Sequence, residues 1–169
     1  STVFSVLRYA AILAIGLFIG TMFKTNNEKE NMAKLQEEIS ATKNMVVLAM
    51  LQNESSSSRM QAVSYTSNME SNNEVIQALL HTFQADNNVS VRLAALNALC
   101  KFKNQPGVHQ AFIQALNRES DPRIQLRLID IMVEMKEEKA VPELYKMLQE
   151  NNLNEFVKYK AEEGIGTIL

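Results

Sequence analysis

The sequence repeats a helical pattern every 33 residues, and this period constrains the fold more than any other feature. Four positions spaced by 33 carry side chains that commonly cap a helix N-terminus, and they are Ser55, Asn88, Asp121 and Asn154. A small or apolar residue follows each cap by seven positions, at Ala62, Ala95, Leu128 and Ala161. A fixed period in the thirties with helical spacing inside it is typical of stacked helix pairs.

A second helical pattern follows each of the first three. Its apolar columns keep the same period, and they are Val75, Val108 and Val141; Ala78, Ala111 and Leu144; and Leu79, Phe112 and Tyr145. The pattern predicts repeat helices over 56–69, 73–85, 89–103, 107–117, 122–136, 140–150 and 155–169. No segment alternates polar and apolar residues for long enough to predict a strand. The predicted fold class is all-α, with a repeat domain over residues 55–169.

The charge and the reactive side chains give little support to catalysis or nucleic-acid binding. The net charge is −2, which gives no reason to expect a nucleic-acid partner. Cys100 is the only cysteine, and neither His81 nor His109 has a second ligand at helical spacing, so we predict no metal site. The sequence has no glycine-rich phosphate loop and no serine in a nucleophile turn. We therefore expect no enzyme activity, no catalytic residues and no cofactor.

Residues 1–24 are mostly apolar and predict a transmembrane helix. About 20 apolar residues in a helix match the thickness of the hydrocarbon layer. A cleaved signal peptide and a buried helix are the alternatives, and Thr21-Met22-Phe23-Lys24-Thr25 lacks a small-x-small cleavage site. Gly16 and Gly20 form a GxxxG pair, which would allow a homodimer through the span. We expect a lipid bilayer as one partner of the chain.

Residues 25–54 predict a membrane-proximal helix with two possible roles. A heptad-like spacing runs through Met32, Leu35, Ile39, Thr42, Val46 and Ala49. This pattern is typical of a dimeric stalk, but it is short and Thr42 and Ala49 are weak seam residues. The segment from Met45 to Leu51 is apolar on more than one face, which favours a helix that covers the open end of the repeats. We favour this N-terminal cap over the stalk.

The second helices carry polar residues that form a candidate partner-binding surface. In a curved stack of helix pairs, the second helices line the concave side. These residues would therefore form a ladder on that side. The ladder consists of Gln77, His81, Gln84, Gln110, Gln114, Asn117, Glu143, Lys146 and Glu150. A ladder rich in amides with few charges suits a protein or peptide partner and does not suit phosphates. A soluble helix face without a partner is the alternative.

The repeats resemble short bacterial HEAT repeats. The resemblance rests on Asp86 to Leu99, "DNNVSVRLAALNAL", and on Asp121-Pro122-Arg123-Ile124 in the next repeat. It implies a right-handed α-solenoid of about 3.5 repeats. In this repeat type, a cation four residues after the cap usually braces a loop carboxylate of the next repeat. We favour this role over an anion-binding stripe for Arg59, Arg92 and Lys158, and note that Gln125 occupies the column in the third repeat.

The order of apolar segment, short helix and repeats resembles the C-terminal part of bacterial zinc-finger anti-sigma-type membrane proteins. The resemblance implies a single-pass protein of the bacterial inner membrane with periplasmic repeats, which would serve as an interaction or sensing module of a transcription regulator. Its zinc-finger segment would lie outside this chain. The alternatives are a HEAT-like lyase or another enzyme subunit, and a purely structural membrane scaffold.

Overall fold

The computed structural model describes residues 30–69 and 72–169, and these residues form helices joined by short connections. The first helix, α1, covers residues 30–51 of the described part. The others are α2 Ser56–Thr66, α3 Asn73–Ala85, α4 Val89–Leu99, α5 Pro106–Ala115, α6 Pro122–Met135, α7 Val141–Met147 and α8 Glu155–Ile168. Short 3-10 turns occupy Cys100–Phe102 and Glu138–Ala140. The described residues contain no strand, and the predicted all-α class is confirmed.

The chain divides into two compact units, Ser1–Met45 and Val46–Leu169. In the first unit, the described residues 30–45 form one helix. The second unit contains the repeat helices, and Val47 and Leu51 at the end of α1 are buried in its core. The predicted transmembrane segment 1–24, with Gly16 and Gly20, lies outside the described residues.

The expected localisation in the bacterial inner membrane needs correction. Within residues 30–69 and 72–169, no helix is long and apolar enough to cross a membrane. A spanning helix needs about 20 mostly apolar residues, whereas α1 carries Lys34, Glu37, Glu38 and Lys43 along its length. This finding contradicts the prediction of a single-pass protein with periplasmic repeats.

Capping side chains set the starts of most repeat helices. Asn88 accepts a hydrogen bond from the backbone N–H of Ser90, Asp121 from that of Arg123, and Asn154 from that of Phe156. Each bond satisfies one of the donors that a helix N-terminus leaves unpaired. Ser55 occupies the same position before α2, but its side chain makes no capping bond. The 33-residue column of caps is therefore functional at three of its four predicted positions.

The apolar columns meet in one core between the helix pairs. Six large apolar residues on these helices have no exposed surface: Leu96, Leu99, Phe112, Leu128, Ile129 and Met132. Phe83 and Phe112 pack edge to face with ring centroids 6.1 Å apart, which joins the second helices of the first two repeats. These residues belong to the buried core cluster.

The second helix of the third repeat departs from the 33-residue period. Leu79 and Phe112 are buried, but Tyr145 in the same predicted column is half-exposed, and Leu144 is buried instead. Ala140 is fully buried, and it lies one position before the residue that the 33-residue period aligns with Val75 and Val108. The connection between α6 and α7 is thus one residue shorter than the period requires. Lys136 ends α6 in a left-handed conformation, at φ 50°, and starts this tight connection.

A glycine allows α8 to approach α6 closely. A Cβ atom at Gly164 would lie 3.2 Å from a methyl carbon of Ile129 and 3.2 Å from one of Val133. Such contacts are shorter than a packed side chain normally makes. Gly166, two positions later on the same helix, has no neighbour within 4 Å of its ideal Cβ position. Only the first glycine is required by packing.

Candidate partner-binding surface

The second helices of the first two repeats expose a row of polar side chains, four glutamines and one histidine. We call Gln77, His81 and Gln84 on α3, with Gln110 and Gln114 on α5, the polar row. All five are exposed, and none of them makes a side-chain hydrogen bond to any residue in the described part of the chain. The opposite faces of the same helices are buried, through residues such as Leu79, Phe83 and Phe112. The core therefore holds these helices in place and leaves the polar row free to bind.

In the third repeat, the predicted ladder is closed by contacts within the chain. The Asn117 side-chain amide donates to Glu143 Oε2, and Lys146 Nζ donates to Glu143 Oε1 at 2.8 Å. Asn117 and Glu143 are half-buried, whereas Lys146 and Glu150 are exposed. Our expectation that Glu143 is exposed with Gln77, Gln110 and Gln114 is not met, because Glu143 links the turn after α5 to α7. The structure brings three ladder residues together into a network of their own.

On the first helices, two arginines clamp successive repeats together. Arg59 donates from Nε to Asp86 Oδ2 at 2.5 Å and from Nη2 to Oδ1 at 2.8 Å. One repeat later, Arg92 Nη2 donates to Glu119 Oε1 at 3.0 Å. Both carboxylates lie in the loop that enters the next repeat, 27 residues on. The predicted bracing role of these arginines is confirmed, and they do not form a free anion-binding stripe.

The third repeat has Gln125 at the position that Arg59 and Arg92 occupy in the first two. Arg59 Nη1 donates to the carbonyl oxygen of Asn53, and Arg92 Nη1 donates to that of Asp86, each six residues back. Gln125 is buried, and its Nε2 donates to the carbonyl of Glu119, also six residues back. Glutamine therefore keeps the bond to the preceding loop and lacks the charge that reaches the next repeat.

Electrostatics follow from the clamp geometry. The Arg59 guanidinium lowers the pKa of the Asp86 carboxyl below its usual value, first through the side-chain hydrogen bonds. The backbone N–H of Asn88 also donates to Asp86, which favours its charged form further. Asp86 thus joins α2 to the start of α4 as an anion at neutral pH.

Side chains that often carry chemistry are held in structural contacts in the described residues. His109 Nε2 lies 2.5 Å from Glu137 Oε2 in the connection before α7. Burial raises the pKa of the Cys100 thiol, and its sulfur donates to the carbonyl of Leu96. A raised pKa keeps the thiol in its less reactive protonated form. Within the described residues, no group of three or more His, Cys, Asp or Glu side chains could hold a metal ion.

The sequence did not indicate a groove between α2 and α4 on the first-helix side. It has a volume of about 500 Å³, and its walls include Ser57, Ser64, Ser90 and Met60. Serines in a helix predict nothing by themselves, since the groove exists only when two neighbouring first helices are stacked. Nothing in the structure shows what would cover it.

Comparison with known families agrees with this architecture. The family model for HEAT repeats matches residues 76–166, which is more than half of the 169 residues. The stacked helix pairs and their interlocking arginine contacts thus define an α-solenoid, and the chain belongs to the HEAT-repeat family. HEAT repeats commonly mediate protein interactions. A comparison with curated protein sequences finds no match.

Proposed function

We propose that the chain is a protein-interaction module that binds a peptide segment of its partner across the polar row. One observation carries the proposal: on two consecutive second helices, four glutamines and one histidine are exposed, and their side chains make no hydrogen bond to the described residues. These helices are fixed by a buried core, so binding would not require them to reorganise. A preorganised surface loses less entropy on binding.

The chemistry of the polar row favours a polypeptide partner. A glutamine side chain offers two N–H donors and one acceptor oxygen. The donors can bond to the C=O groups of an extended peptide backbone, and the oxygen can accept from its N–H groups. The row carries no Lys or Arg, so it lacks the cations that would hold phosphate groups. We place the centre of the binding surface on the first two repeats, because Asn117 and Lys146 already donate to Glu143 at the boundary with the third.

Three further hypotheses are separate from this proposal. The anti-sigma-type role rests on the layout of the chain, and no family match supports it. The absence of a catalytic function is a proposal of the same kind, with an enzyme subunit as the alternative. The division into segments 1–24, 25–54 and the repeat domain 55–169 also stands as proposed.

A photo-crosslinking experiment tests the proposed surface. A photoreactive amino acid replaces Gln110 in the full chain, and a matched variant carries it at Gln61, an exposed residue of α2 on the first-helix side. In the native host, we expect the Gln110 position to crosslink to a defined protein that the Gln61 position does not capture. Mass spectrometry then identifies the crosslinked protein and the peptide within it.

The affinity of that protein for two further variants decides the outcome. Gln110→Glu/Gln114→Glu adds charge and removes amide donors, and should weaken binding by about tenfold or more, equivalent to about 1.4 kcal/mol. Gln61→Glu introduces the same change outside the polar row and should leave the affinity unaltered. Equal affinities for the two variants, or crosslinking from Gln61 alone, would refute the proposed surface.

A further inference from the structure

Helix α1 exposes an apolar stripe in the first unit of the chain. Met32 is 67% exposed, Leu35 52% and Ile39 46%. Their spacing of three and four residues places Met32 and Ile39 at position a of a heptad and Leu35 at position d. Thr42 continues the stripe at the next d position and is also exposed. Such a stripe on a helix is typical of the seam of a two-stranded coiled coil.

The residue types along the stripe favour a parallel pair of helices. A β-branched residue at position a and Leu at position d is the combination typical of parallel dimers. Ile39 at a and Leu35 at d match this combination, and both are exposed. Within the first unit, the stripe therefore fits a parallel partner helix.

The charges beside the stripe are complementary between two parallel copies. Glu38 occupies position g and Lys43 occupies position e of the next heptad. In a parallel dimer, a g residue lies beside the e residue five positions later in the other helix. Glu38 of each copy would thus meet Lys43 of the other, twice by symmetry. Among the residues that the structure describes, neither takes part in an ion pair, whereas Lys34 and Glu30 pair along α1 at 2.9 Å, away from the seam.

We infer that α1 is a dimerisation helix whose partner is the same helix of a second copy of this chain, aligned in parallel. Met32, Leu35 and Ile39 would pack against their equivalents, and Glu38 and Lys43 would set the alignment. The seam covers about two heptads and includes a Thr, so the dimer forms in a concentration-dependent equilibrium. Two copies would place two polar rows in one assembly, which raises the effective affinity for a partner with two binding segments.

Disulfide formation tests the parallel alignment in the full chain. In a Cys100→Ser background, Leu35→Cys brings two thiols together at the seam, whereas Ser40→Cys places the thiol at position b on the same exposed helix. Under mild oxidation we expect the Leu35→Cys chain to form covalent dimers about tenfold faster than the Ser40→Cys chain. Equal rates, or faster dimerisation from Ser40→Cys, would overturn the inference.

Charge exchange provides the second measurement. In sedimentation equilibrium, Glu38→Lys or Lys43→Glu alone should weaken the dimer severalfold, because like charges then face each other. The double variant Glu38→Lys/Lys43→Glu should restore the dimer to near the starting affinity. If the wild-type chain and all the variants are monomeric, the stripe does not bind a second copy and another segment covers it. Failure of the double variant to restore a weakened dimer would exclude the parallel alignment. Either result overturns the inference and leaves the polar-row proposal unaffected.

Discussion

The two arginines on the first-helix side and the polar row on the second-helix side differ in the hydrogen bonds that they make within the fold. On the first-helix side, Arg59 and Arg92 bind carboxylates of the following repeat and carbonyls of the preceding loop. On the second-helix side, the polar row makes no side-chain bonds to described residues. Polar side chains with several partners inside the fold serve stability, and those with none are available to a ligand. The comparison separates residues that hold the solenoid together from residues that can be changed without unfolding it.

The core should show the largest response to mutation. Leu96 has no exposed surface, and Leu96→Ala should lower the free energy of unfolding by about 2–5 kcal/mol through lost burial and a residual cavity. Urea titration of the full chain measures the change. Leu169→Ala, at a residue that is 80% exposed, is the control and should change stability by less than about 0.5 kcal/mol. Similar losses for both variants would contradict the assigned core.

Removal of a clamp should have the next largest effect. Arg92 is 16% exposed at its side chain and Glu119 10%, so Arg92→Met leaves a mostly buried carboxylate without its partner. We expect a loss of about 1–3 kcal/mol in the free energy of unfolding. Arg123→Met removes an arginine that is 60% exposed and that, among the described residues, pairs only with the cap residue Asp121. If that exposed pair proved as costly as Arg92, the clamps would have no special role.

Acid should weaken the first clamp. Because the folded-state pKa of Asp86 lies below its ordinary value, the pair with Arg59 contributes stability at neutral pH. This contribution should decrease as the pH falls through about 4, the ordinary carboxyl pKa, and disappear below the folded-state pKa. Thermal unfolding between pH 7 and pH 3 should therefore show a steeper loss for the wild-type chain than for Asp86→Asn. Parallel curves would contradict the assigned role of this carboxyl.

The close approach of α6 and α8 gives a smaller effect with a sign that depends on position. Gly164→Ala places a methyl group 3.2 Å from Ile129 and Val133, and this overpacking should cost about 1–3 kcal/mol before a helix-propensity gain of about 1 kcal/mol. Gly166→Ala has open space around it and should stabilise the chain by up to about 1 kcal/mol. Calorimetric melting of both variants tests this. A stabilising Gly164→Ala would mean that the helices can move apart without cost.

The repeat architecture could be predicted because its signals are local. A capping residue, a small or apolar residue seven positions later and a period of 33 predict the first helices, and Asn88, Asp121 and Asn154 cap as expected. The position of α7 could not be predicted in the same way. Leu144 and Tyr145 are both large and apolar, so the sequence fits either register, and only the packing around Ala140 and Leu144 selects one.

The candidate surface was predictable in composition but not in its limits. Exposure of Gln77, Gln110 and Gln114 follows from helical periodicity on helices whose other face is apolar. The bond between Asn117, in the turn after α5, and Glu143 of α7 joins residues that are 26 apart. A period of 33 residues does not predict a contact at that spacing. The predicted localisation was wrong. It rested on residues 1–24 and on a resemblance in the order of the segments, and not on the repeats.

The most direct test of this account is the stability of the chain after the polar row is changed. In urea titration, Gln110→Glu/Gln114→Glu should stay within about 0.5 kcal/mol of the wild type, and repulsion between the two new charges four residues apart accounts for part of that difference. Arg92→Met, measured alongside, should lose about 1–3 kcal/mol. A double variant that unfolds as readily as Arg92→Met would show that the polar row is structural and would contradict its assignment as a binding surface.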